Sequence, residues 1–118
     1  MTFTAREIIT ALQYEAFLSA DFVNTGGGVY NVVFTPICQH DRILGEIRAS
    51  DNGDWTMGDI DEPAESLSVM AYAPDGDPMD DRMWTVEDVR GAVLAFDDLS
   101  YALERFCPDC YADHGSEG

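Results

Sequence analysis

A helix-start signal occurs twice in this chain, once near each end, and the stretch between is punctuated for strands. At the N-terminus Thr4 and Glu7 form a T-x-x-E capping box, flanked by Phe3 and Ile8 at the two positions of a hydrophobic staple. Ile8, Ile9, Leu12, Ala16 and Phe17 follow at helical spacing, which predicts a helix over 5–18. Near the other end Thr85 and Asp88 repeat the box, with Trp84 and Val89 as the staple. Val86, Val89, Val93, Phe96, Leu103 and Phe106 then recur in steps of three, four or seven, predicting one long helix that ends near Arg105. Pro108 stops it.

Between the two signals the pattern changes. Asn24-Thr25-Gly26-Gly27-Gly28 is too rich in glycine for a helix and reads as a turn. A phosphate-cradling loop needs a strand before it and a helix after it, and here the order is reversed. Residues 29–35 and 43–49 read as strands one and two, joined by a turn at 38–42. Asp51-Asn52-Gly53-Asp54 is a hairpin signal leading into strand three over 55–60. Leu67, Val69, Ala71 and Ala73 alternate with Ser68, Met70 and Tyr72, giving strand four over 67–73. The expected order is α-β-β-β-β-α: a two-layer α+β domain with a four-stranded antiparallel meander and both helices on one face. A single domain over 1–110 and a mobile tail over 111–118 complete the expected layout.

Charge narrows the function classes. The chain of 118 residues carries 23 acids against six arginines and no lysine, a net charge of −17. Residues 1–50 hold five acids and three arginines, for −2; residues 51–118 hold eighteen acids and three arginines, for −15. Such a surface repels nucleic acid and anionic membrane and attracts basic protein surfaces. The expected partner-binding carboxylates are Asp59, Asp61, Glu62, Glu65, Asp75, Asp77, Asp80 and Asp81. Two plainer readings compete: a merely solvated surface, and adaptation to high salt. The near-neutral first fifty residues weigh against salt adaptation, which would acidify the whole surface.

The third feature is "CPDCYADHG" at 107–115. Cys107, Cys110 and His114 are three of the five Cys and His residues in the chain. Thiolates with an imidazole suit zinc, which takes four protein ligands when structural. The fourth must come from Cys38 or His40, and the expected set is Cys107, Cys110, His114 and Cys38. A redox role fits poorly, because Cys107 follows a helix, where the dipole disfavours a thiolate. The plain alternative is that Cys107 simply ends the apolar stripe of the last helix, with no cofactor at all.

No nucleophile elbow, phosphate loop or His-Glu-x-x-His motif is present, so no residue is assigned a catalytic role. No basic region followed by an apolar core opens the chain, and no apolar run spans a bilayer, so a reducing cytoplasm is the expected compartment. The expectation is a non-enzymatic protein whose acidic surface docks on a basic partner, such as a nucleic-acid-binding enzyme, and inhibits or regulates it as a nucleic-acid mimic. In charge and size alone the chain resembles the small acidic inhibitors carried by phages; no motif is shared. The alternative is a small structural domain stabilised by zinc.

Overall fold

The computed structural model describes residues 2–26, 29–38, 40–50, 60–61, 63–79 and 83–107. Helix α1 spans Ala5–Glu15 and begins as its sequence requires: the Glu7 amide donates to Thr4 Oγ1 at 3.1 Å. Both staple residues, Phe3 and Ile8, are buried. The helix stops three residues short of the expected end. Phe17 takes a left-handed backbone (φ 58°), which turns the chain out of the helix and leaves its ring exposed. The Leu18 amide then returns to the Leu12 carbonyl at 2.9 Å.

Five strands follow: β1 Asp21–Gly26, β2 Val29–Phe34, β3 Glu46–Ser50, β4 Leu67–Tyr72 and β5 Trp84–Val86. They lie side by side in chain order, every neighbouring pair antiparallel. The α+β class and the meander are as expected; the strand inventory differs. Residues 21–26 form a strand where the sequence shows only an approach to a glycine turn, because pairing with β2 outweighs the weak strand propensity of Asn-Thr-Gly. The strand expected over 55–60 lies outside the described residues except Ile60, which sits in a turn. The segment 84–86 is not the start of the last helix. Trp84 and Val86 alternate around Thr85 and pair with Val69 and Leu67 of β4. The cap is Asp88, whose carboxylate accepts from the Gly91 amide at 2.6 Å, so helix α2 runs Val89–Leu103. A short 3-10 turn, Glu104–Phe106, continues it.

One sheet face carries Val32, Ile47, Ala49, Leu67, Val69 and Ala71, all buried. Helix α2 lies over β3, β4 and β5, while α1 packs beside α2 and reaches β2. Phe96, Leu99 and Leu103 of α2 are fully buried, each contributing about 1.5–3 kcal/mol of apolar burial. The opposite face is half-buried: Arg48 pairs with Glu46 and lies 4.7 Å from the centre of the Tyr72 ring. The expected tail, 111–118, lies outside the described residues.

Gly45 sets how closely the layers meet. Its φ of 143° disfavours any side chain, and a Cβ would drive into the Tyr72 carbonyl and come within 3.0 Å of Leu103. Gly45→Ala is therefore expected to destabilise the fold by about 2–4 kcal/mol, read as a lower denaturant midpoint at unchanged slope. An unchanged midpoint would show that this close approach is not required.

Candidate metal centre

The segment before β3 forms a small hairpin. The Leu44 amide donates to the Pro36 carbonyl at 2.9 Å, Ile37 bridges Ile43, and the Cys38 amide donates to the Arg42 carbonyl at 3.0 Å. Asp41, with φ 59°, makes the bend at its tip. At the foot of this hairpin Gly45 touches Leu103, the last residue of α2. The hairpin tip is thereby held against the exit of that helix, where Cys107 is fully buried.

Three ligand-bearing residues meet there. His40 Nδ1 lies 3.8 Å from Cys38 Sγ and 3.6 Å from Cys107 Sγ, and the three ligand atoms all lie within 4.8 Å of one another. A tetrahedral centre with Zn–S near 2.3 Å and Zn–N near 2.05 Å separates sulfur from nitrogen by about 3.6 Å. Both sulfur–nitrogen separations are therefore close to that spacing, and the two sulfurs lie within 4.8 Å of each other. This group could hold a metal ion.

The electrostatics favour a thiolate at Cys38. The Cys38 thiol is drawn down to about 6. Burial is the largest single influence and pushes the other way. It is outweighed by backbone hydrogen bonds from Arg42 and His40, then by the His40 ring and the Cys107 thiol. The His40 amide donates to Cys38 Sγ at 3.3 Å. The Arg42 guanidinium stands 4.0 Å from Cys107 Sγ and places positive charge beside the second sulfur.

Of the expected zinc ligands, the fold brings Cys38 and Cys107 together, while Cys110 and His114 lie outside the described residues. His40 joins the pair. Its signal in the sequence is the Cys-x-His spacing of 38–40; the Asp41 amide donates to the Cys38 carbonyl at 3.0 Å, so His40 lies within the turn and its ring comes back to the sulfur.

Among the described residues the expected carboxylates are distributed rather than gathered. Asp59, Glu62, Asp80 and Asp81 lie outside the described residues. Asp61 is engaged by Arg6, with Nε to Oδ1 at 2.7 Å and a second contact at 3.3 Å; these hydrogen bonds hold its carboxyl below the usual range. Asp75 accepts from the Asp77 amide at 3.1 Å in the turn after β4. Glu65 stands before the other end of β4, where it shares a depression with Glu87 and Asp88. Asp75 and Asp77 are thus separated from Glu65 by the six-residue length of β4, about 20 Å. Among the described residues no helix is long and apolar enough to cross a membrane. No protein family, curated protein or solved structure matches the chain.

A thiol whose folded-state pKa lies below its unfolded value contributes stability at high pH and loses it as pH falls. For Cys38 that contribution is complete above the unfolded thiol range, about 8.5, and gone below about 6. In metal-free protein the thiolate absorbance missing from Cys38→Ser should titrate with a midpoint near 6. A midpoint in the ordinary thiol range would contradict the hydrogen-bonding account.

Proposed function

We propose that the chain is a non-enzymatic docking domain, closed by a structural zinc ion at Cys38, His40 and Cys107, whose anionic surface engages a basic protein partner. The observation that carries the zinc reading is the convergence of two sulfurs and one ring nitrogen at ligand spacing from two distant parts of the chain. Cys110 and His114, three and seven residues beyond Cys107, are the expected sources of the fourth ligand. Four protein ligands define a closed, structural site; three would leave a position for water and catalysis. The two thiols described are free, which suits a reducing cytoplasm.

Protein purified without chelator is expected to contain one zinc per chain. Cobalt substitution should give the spectrum of a tetrahedral, thiolate-rich centre. Cys38→Ser, His40→Ala and Cys107→Ser should each lower metal affinity, and chelator should lower the melting temperature of the wild type only. Metal-free protein with an unchanged melt in added zinc would sink the zinc reading.

The docking reading is favoured by the −15 carried by residues 51–118 and by the shared exposure of Glu65, Glu87 and Asp88 around one depression. A nucleic-acid-binding enzyme, inhibited by an acidic mimic of its ligand, is the partner this charge fits best. Affinity for a partner purified from the native host should fall by about tenfold or more between low and physiological salt. Binding indifferent to salt would refute the electrostatic account.

A further inference from the structure

We propose that the outward face of α2, beside Trp84 of β5, is the seat for an arginine side chain of the basic partner protein. This deepens the docking reading and rests on it. Leu94, Asp97, Asp98 and Tyr101 fall at relative positions 0, +3, +4 and +7 of α2, so they share one helix face. Leu94 is 52% and Tyr101 62% exposed, on a helix whose other face fills the core. With the half-buried Trp84 these four residues line an open depression of about 450 Å³.

The chemistry of this depression is selective. The Trp84 indole Nε1–H donates to Asp98 Oδ2 at 3.2 Å, which ties the ring of β5 to the acid of α2 and fixes both. Asp97 is exposed beside them. Two aromatic side chains next to two carboxylates match a guanidinium better than an ammonium. A guanidinium stacks its plane on a ring while its N–H fork meets a carboxylate; an ammonium is a strongly hydrated point charge. Tryptophan, tyrosine and arginine are also the residues that dominate interface energetics. Among the described residues, the arginines of this part of the chain stand outside 94–101: Arg90 in the first turn of α2, and Arg105 beyond its end with its guanidinium 5.2 Å from the Phe106 ring centre. The depression thus carries apolar, aromatic and anionic groups together. A phosphate-bearing occupant is repelled by the same carboxylates.

The test is NMR titration of the whole chain at low ionic strength with a tetra-arginine amide and, separately, its tetra-lysine counterpart. The Trp84 indole resonance is assigned by its loss in Trp84→Phe. Tetra-arginine should shift that resonance and the amides of 94–101, and should bind about fivefold more tightly than tetra-lysine. Asp97→Asn with Tyr101→Ala should weaken tetra-arginine binding by about tenfold while leaving the thermal melt unchanged. The arginine–lysine comparison uses the native chain and holds even if that variant unfolds. Shifts centred on Glu65, Glu87 and Asp88, or equal affinity for both peptides, overturn this proposal and leave the docking reading standing. Failure of both peptides to bind sinks the docking reading and this inference with it.

Discussion

The seating of α2 across β3, β4 and β5 is the contact on which the remainder of the molecule depends. Phe96, Leu99 and Leu103 are fully buried between the layers, and Leu103 reaches the chain where it has no side chain of its own, at Gly45. That contact does more than stabilise. It brings the 36–44 hairpin to the exit of the helix, so that Cys107 meets His40, 67 residues away along the chain, and Cys38 beside it. Without this packing Cys107 and the hairpin that carries Cys38 and His40 would be unrelated segments, and holding them together would incur the full entropy of closing a long loop.

The same arrangement accounts for how a chain of net charge −17 tolerates its own field. Like charges within about 8 Å repel at physiological salt. The described carboxylates of the second half are spread over the ends of β4, the lead-in to α2 and the outer face of that helix, and several accept backbone or indole hydrogen bonds. Spreading them limits repulsion, while the buried apolar layer beneath supplies the opposing stabilisation. The cost of that field is a reason to look for something it attracts.

Much of the fold was legible in local patterns. The Thr4–Glu7 box, the alternation of 67–72 and the stripe through Phe96 and Leu103 each report a local periodicity, and each became the expected element. The errors arose where a short segment supports two structures. Thr85 and Asp88 spell a capping box, yet Trp84–Val86 gains more by pairing with β4, and Asp88 caps instead. Likewise 21–26 mixes strand formers (Phe22, Val23, Thr25) with Asp21, Asn24 and Gly26, which disfavour a strand, and pairing with β2 decides it. The candidate site was half legible: Cys38 and Cys107 were marked by residue type, whereas the role of His40 depended on the direction of a turn.

By itself the sequence determined the class of fold, the capped start of α1, the apolar face of α2 and the sign of the electrostatic field, because each follows from residues close together in the chain or from composition. Tertiary structure alone decided which thiols share a site with which imidazole, which acids stand together, and that Trp84 faces Asp98 rather than opening a helix. These are contacts between distant segments, and their geometry is set by how closely two layers can approach, down to the missing side chain of Gly45. Within "CPDCYADHG", Cys107 is buried just beyond the last helix, and its thiol faces His40, which packing brings from far along the chain.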